Sequence, residues 1–385
     1  MISEDWIVPV IGFAFVFYGM VTSFLICGLR RITSQTTRQT PFVSVIVAAR
    51  NEEENIFRLL DVLASQSYNA YEIIVIDDDS TDNTLSIARD YAARQQCLKV
   101  LSSDRSVSHR ARKKAALTTG ILASKGEILC FTDADCLPGR EWLSELASQF
   151  TDKVGLVVGY SPYDSNLLAA QFRPSGSISS LFHHFIHYEE IKGAIWSAAS
   201  IGLGRAWLCT GRNLAYRRKV WDQVSGFSRI MASISGDDDL FLQLVRRSTD
   251  WDISYVFNRK SIVPTMPPES FRTFIHQRTR HFSAGRYFTV SLKSFFFLFH
   301  TSNLVLFIGL IFGIFHSPLF LPAFAMFLGK VALDFFLVVK GASLLSEGSI
   351  WLRVVPMELL CLLYNTFIGP LGFIKDFEWK PNLTK

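Results

Sequence analysis

Apolar positions fall along this chain in long uncharged blocks at its two ends and in short strand-like runs between them. Ile7–Leu29 is 23 residues without a charge, enough at about 1.5 Å per residue to cross a hydrocarbon core about 30 Å thick. Ser294–Gly329 is 36 residues without Lys, Arg, Asp or Glu, too long for one crossing. Pro318 and Pro322 interrupt it, so two helices joined near His316–Pro318 are expected. The second runs on to Lys330 and Asp334, an i,i+4 opposite pair expected to neutralise itself near the cytoplasmic interface. Val354–Ile374 is a further apolar candidate with Glu358 inside it. The cost of a charge within a span leaves crossing, re-entrant and surface-lying arrangements open for it.

The middle of the chain reads differently. Phe42–Ala48 is apolar almost throughout, as a strand buried on both sheet faces would be. Arg50–Asn55 follows, then Ile56, Leu59, Leu60 and Leu63 at helical spacing. A second strand at Tyr71–Ile76 runs into Asp77–Asp82, with a helix over Asn83–Arg94. A third strand, Leu98–Leu101, precedes the basic run His109–Lys114, which opens another helix, and Glu127–Thr132 is a fourth strand ending at Asp133–Ala134–Asp135. This alternation predicts an α/β domain with a mostly parallel, Rossmann-like sheet. Ligands of such sheets bind beyond the carboxyl ends of the strands. The polar clusters at Arg50–Glu54, Asp77–Asp82 and Asp133–Asp135 all follow strands and converge at that edge. Each cluster alone is ordinary turn chemistry.

Charge sharpens the division. Of 73 charged residues, the 264 between the apolar ends carry 60. A water-soluble globule and a purely embedded transporter are both excluded, because the middle is large enough for its own core. Disorder is excluded by 49% hydrophobic and 14% aromatic residues. Glu4 and Asp5 precede the first apolar block and Arg30, Arg31 and Arg38 follow it, which predicts an outside N-terminus and a cytoplasmic middle. The lack of a basic leader and the block's length oppose a cleaved signal. The expected organisation is a membrane helix at 1–30, a cytoplasmic domain at 41–287 and two or three membrane helices within 294–375. That is a multi-pass protein of a bacterial inner or plasma membrane. The net charge is +5, and Arg217, Arg218, Lys219, Arg272, Arg278, Arg280 and Arg286 suit either anionic headgroups or a solvated face. Six scattered cysteines suggest neither a disulfide framework nor a zinc site. His183 and His187 share an i,i+4 spacing with Glu190 three residues on. A metal pair is conceivable there; an interfacial amphipathic helix is the expectation.

Asp133 and Asp135, one residue apart at a strand end, can present oxygens to a hard divalent ion. Mg2+ or Mn2+ characteristically shares such carboxylates with substrate phosphates. Lys113 or Lys114 could add charge to the same diphosphate. Neither a Walker loop nor a Gly-x-Gly-x-x-Gly fingerprint is present. Further on, Thr210–Arg218 (TGRNLAYRR) is followed by Gly236–Leu240 (GDDDL), whose acids are either a charged helix start or a carboxylate poised to take a proton. Gln277–Arg278–Thr279–Arg280–His281 then leads to the membrane.

In this order the motifs resemble the family-2 glycosyltransferases, the inverting, membrane-associated GT-A enzymes that include ceramide glucosyltransferase and polysaccharide synthases. The likeness runs from Pro41 to about Tyr287. PFVSVIVAARNEEENI resembles the family's opening strand and nucleotide loop, and DDDSTDNT its Asp-Asp-Gly-Ser-Thr-Asp signature with Asp79 in place of glycine. DAD is similar to its Asp-x-Asp metal motif, TGRNLAYRR to its acceptor-side loop and GDDDL to its Glu-Asp motif. The resemblance implies that Glu52 and Asp78 bind the nucleoside, Asp133 the nucleotide and Asp135 the metal. It implies Asp237 as general base, with Asp238 the alternative, and an acceptor or diphosphate side containing Gly211, Asn213, Gln277, Arg278 and Arg280. Two positions depart from the pattern: Gly236 stands where the family has Glu, and His281 where it has the Trp of Gln-x-x-Arg-Trp. The implied activity is transfer of one sugar from a UDP-sugar to a lipid or lipid-linked acceptor at the membrane. A short-chain or processive polysaccharide synthase is the alternative. A catalytically dead scaffold and a nucleotidyltransferase are further readings, and nucleic acid is not an expected partner.

Overall fold

The computed structural model describes residues 6–32, 36–104, 106, 108, 111–164 and 177–374. Glu4, Asp5, His109, Arg110 and Lys375, which figure in the expectations above, lie outside the described residues. Among the described residues seven strands form one sheet: β1 Val43–Ala49, β2 Tyr71–Asp77, β3 Leu98–Ser102, β4 Ile128–Phe131, β5 Val154–Gly159, β6 Leu214–Arg217 and β7 Asp252–Val256. Their order is β3-β2-β1-β4-β6-β5-β7. The four expected strands are β1 to β4, each within one residue of its expected limits at either end.

β1 lies parallel to β2 and β4, with Val43 opposite both Tyr71 and Ile128. All seven of its residues are buried, because helices cover both faces. β6 is the exception to the parallel pattern. It runs antiparallel to β4 and β5, pairing Leu214 with Phe131 and Val158. The reversal brings the loop before β6, not the loop after it, to the edge where β4 ends.

Val43, Val45 and Val47 pack under Leu59, Leu60 and Trp142 on one face of the sheet. On the other face Ile46 and Ala48 belong to an apolar cluster that continues unbroken to Tyr18, Leu25 and Phe299. The sheet and the apolar helices therefore share one core, which fixes the domain's orientation on the bundle. Ile7–Arg31, Val290–Phe315 and Ser317–Leu344 are long and apolar enough to cross a membrane, as is Gly348–Ile374 taken as a whole. His316 joins the second and third helices, where the prolines predicted a break.

Ser177–Gly202 forms a helix of 26 residues that corrects the amphipathic surface helix expected around His183–Glu190. Tyr188, Ile191, Ile195, Ala198 and Ala199 are buried. Gly28 and Gly202 approach so closely that a Cβ on either would meet the other helix's backbone. His187 turns to Glu347, with Nε2 3.4 Å from Oε1. Arg217 and Arg218 are likewise not headgroup contacts. Arg217 pairs with Glu127 at 2.6 Å and donates to the carbonyls of Phe150, Thr151 and Val154, while Arg218 donates to those of Ile121, Ser124 and Gly126. Lys330 meets Asp334 at 2.7 Å, but the pair faces the bundle interior and not an interface. Tyr18 donates to Asp334 at 2.6 Å, and Lys192 and Lys330 lie 2.6 and 3.7 Å from Glu358. Four charges of balanced sign thus satisfy one another inside apolar surroundings, the usual condition for their presence there.

Candidate active site

The sheet's carboxyl edge gathers the acidic loops. Asn51 and Asp79 both hold left-handed backbones, with φ of 51° and 59°. Asn and Asp are the non-glycine residues that tolerate this region best, so Asp79 can replace the glycine of the resembled motif without changing the turn. The two loops lace together. Asn51 Oδ1 accepts from the Thr81 amide at 2.9 Å, and the Glu52 amide donates to Thr84 Oγ1 at 2.7 Å. The Glu52 carboxylate accepts from Asn55 Nδ2 at 2.9 Å. Asp78 is buried and held by Arg112 Nε at 2.9 Å and Arg50 at 3.6 Å. Its second oxygen, Oδ1, is buried and has no hydrogen-bond partner among the described residues.

The helix Arg112–Ala123 points consecutive cations at adjacent loops. Arg112 takes Asp78, and Lys113 Nζ lies 2.9 Å from Asp133 Oδ1 and 3.3 Å from Asp237 Oδ2. Burial alone would lower the Lys113 ammonium, but Asp133 and Asp237 outweigh it and raise it above its ordinary value. Lys114 takes a different course. It is fully buried, and its Nζ donates to the carbonyls of Ser233 at 2.6 Å and Ser235 at 2.7 Å. Of the two lysines that the sequence left open, Lys113 faces the acids and Lys114 straps the loop before Asp237.

That loop turns at Gly236, whose φ is 83°. A Cβ there would come within 2.6 Å of Leu240 Cγ, so the glycine that displaces the family's Glu is required by this backbone. The three following acids divide their work. Asp237 lines a small cleft together with Lys113, Asp133 and Gly211. Burial pushes its carboxyl up, but Lys113 and Lys114 more than compensate and hold it below the usual range. Asp238 accepts from the Asp239 amide at 2.7 Å and the Gly211 amide at 3.1 Å. Asp239 accepts from the Cys209 amide at 2.7 Å. Burial and then Asp237 raise Asp238; burial and then Asp238 raise Asp239.

The remaining candidates separate by burial. Gly211 and Asp133 line the cleft. Asp135 is half-buried on the turn that continues from Asp133, and its main-chain oxygen accepts from the Met266 amide at 3.4 Å. Two half-exposed carboxylates with no third protein ligand fit a Mg2+ or Mn2+ ion that takes its other oxygens from phosphate and water; groups of three His, Cys, Asp or Glu suited to a metal are absent among the described residues. Asn213 is fully buried, donating to the carbonyls of Tyr160 and Ser261 at 2.8 Å and accepting from Trp142 at 3.0 Å. It braces the loop and is not among the cleft-lining residues. Arg278 is buried between Glu189 and Glu190, and Gln277 accepts from the Tyr163 hydroxyl at 3.2 Å. Arg280 adds positive potential to Asp237. Sequence reasoning missed Arg112 and Glu189 as site residues and set Glu190 beside His183 and His187, whereas it pairs with Arg212 of the TGRNLAYRR loop at 2.6 Å. Arg112 lay beside Lys113 in a visible basic run, but nothing local marks Glu189.

Fold and edge together define a GT-A domain flanked by apolar helices. The glycosyl transferase family 2 profile matches residues 44–221. Glycosyltransferase AglE of Haloferax volcanii is 39% identical over 125 residues, 31% of this chain and 40% of that protein. Beta-monoglucosyldiacylglycerol synthase of Nostoc sp. is 30% identical over 253 residues, 64% of this chain and 49% of that protein. The matches thus span about half the length of these curated relatives or less. Mannosyltransferase PcManGT from Pyrobaculum calidifontis, solved in complex with GDP-Man and Mn2+, shares the fold with a TM-score of 0.55 and 18% identity, covering 92% of this chain and 98% of its own. Residues 44–221 thus carry a family 2 glycosyl transferase domain.

Proposed function

We propose that the protein is an inverting glycosyltransferase that moves one sugar from a UDP-sugar to a lipid or lipid-linked acceptor at the membrane. The observation that carries this reading is the Asp133–Lys113–Asp237 array in a cleft whose core is continuous with the apolar helices. Glu52 and Asp78, on the interlaced loops that follow β1 and β2, take the nucleoside. Lys113 gives positive charge to the leaving diphosphate as the anomeric bond breaks. Asp133 and Asp135 would hold Mg2+ or Mn2+, which when bound supplies Lewis-acid charge to the same diphosphate. Asp237, held ionised by its lysine neighbours, takes the acceptor hydroxyl proton from the opposite face of the sugar. Asp238 holds Gly211 and so sets the acceptor-side loop against that carboxylate. Direct displacement inverts the anomeric centre without a covalent nucleophile.

A lipid acceptor is supported by the relative named for a glucosyldiacylglycerol product and by the four apolar helices. The test is incubation of membranes carrying the protein with radiolabelled UDP- and GDP-sugars and Mn2+. Label from one UDP-sugar in the organic phase is the expected result. No transfer from any donor, or label only in a water-soluble polymer, overturns the reading.

A further inference from the structure

Gly348–Ile374 satisfies the length and composition of a membrane span, yet its contacts do not. Its longest α-helix, Val354–Phe367, has 14 residues, about 21 Å, and a 3-10 stretch at Gly348–Arg353 leads into it, so the contacts and not the length decide its course. Ser317–Leu344 returns antiparallel to Val290–Phe315, so the segment begins at the catalytic domain's end of the bundle. From there it touches that domain and its buried helix at every stage. Just before the segment, Glu347 accepts from the Tyr160 hydroxyl at 3.2 Å. At its middle, Glu358 accepts from Tyr188 at 2.7 Å and Lys192 at 2.6 Å. The Tyr364 ring lies 5.6 Å from Phe185 and 5.8 Å from Phe274. At the far end, Arg286 Nε donates to the Gly372 carbonyl at 3.0 Å. A helix that crossed to the other surface would leave the domain behind after its first turns.

The face turned away from the domain is apolar. Leu352, Val355, Leu359, Leu363 and Phe367 are 69%, 55%, 44%, 42% and 67% exposed, at the spacing of one helical stripe. Glu358 and Tyr364 point the opposite way and are buried. A stripe of this kind on a short helix, continuous with three longer apolar helices, fits the acyl region of a monolayer.

We propose that residues 348–374 do not cross the membrane but lie within the leaflet that faces the catalytic domain, docked on lipid through the Leu352–Phe367 stripe, so that the chain crosses three times. The proposal rests on the membrane reading above but not on the transfer reaction. Two measurements on the full-length protein in sealed vesicles test it, and neither depends on activity. One epitope is inserted after Gly348, where added atoms meet nothing within 4 Å, and a second is appended to Lys385. Antibody access in right-side-out and inside-out vesicles should place both on the same side; opposite sides overturn the proposal. Nitroxide labels on Leu352→Cys, Val355→Cys, Leu359→Cys and Leu363→Cys should report depths within the domain-side leaflet, no more than about 15 Å below its headgroups. Depths that advance into the opposite leaflet overturn it. So does a stripe shielded from lipid, which would make a protein partner its occupant.

Discussion

Lys113 Nζ stands 3.3 Å from Asp237 Oδ2, joining the first helix-opening basic run to the last acidic cluster of the domain. Its ammonium also contacts Asp133, so one cation balances the proposed base and a proposed metal ligand before donor arrives. Lys113→Met removes that balance and the charge offered to the leaving diphosphate. Turnover should fall by about 10²-fold or more, measured as label transferred at saturating donor. Retained turnover would remove Lys113 from the mechanism.

Asp237→Asn is nearly isosteric but cannot take a proton. Turnover should drop by about 10²-fold or more while donor binding survives. Asp238→Asn acts through the Gly211 amide and should raise the acceptor KM more than it lowers turnover. The reverse pattern would shift the base by one residue.

Asp135→Ala should abolish transfer with the protein still folded and inserted, because this half-exposed turn residue supports little of the core. Metal dependence is read by titrating Mn2+ and Mg2+ into chelator-treated enzyme. Full activity in the variant, or in wild type after exhaustive chelation, would sink the metal assignment.

Lys114 predicts an alkaline limb. Burial, with Lys113 adding to it and Asp237 and Asp238 opposing, lowers its ammonium from 10.5 to about 8. It is charged below that pH and loses its proton as pH rises through it. Its charge-assisted grip on the Ser233 and Ser235 carbonyls should then weaken, and turnover should decline above about pH 8. Between there and 10.5 the unfolded chain binds the extra proton, so stability should rise with pH over the same window. Lys114→Arg keeps a charge throughout and should remove the limb; a limb unchanged in this variant assigns it elsewhere.

Product length rests on His281. Burial and then Arg280 hold its imidazole well below the ordinary value, so it is neutral at physiological pH, where an exposed histidine would be partly charged. A neutral imidazole is still smaller than the tryptophan of the resembled motif, whose stacking contributes about 1 kcal/mol per contact. One or very few added sugars, extracted with lipid, are expected. A long water-soluble polymer from purified enzyme would move polysaccharide synthesis to first place.

The sequence by itself determined the apolar helices, strands β1 to β4 and the acidic loops after them. Each is written in a local period or an uninterrupted apolar run, and a parallel sheet leaves its loops no other edge. Tertiary structure decided what depended on partners distant in the chain. The antiparallel course of β6 brings Gly211 to the edge although no strand precedes it there. Lys113 and Lys114 are adjacent and chemically alike, yet helix rotation sends one to the acids and the other to two carbonyls. Asp237, Asp238 and Asp239 separate in the same way, because the left-handed turn at Gly236 aims the first at the cleft and leaves the others to cap amides. The course of Gly348–Ile374 was least legible of all, since its composition suits a span and only its contacts with Tyr188 and Arg286 carry the proposal that it stays on the domain's side.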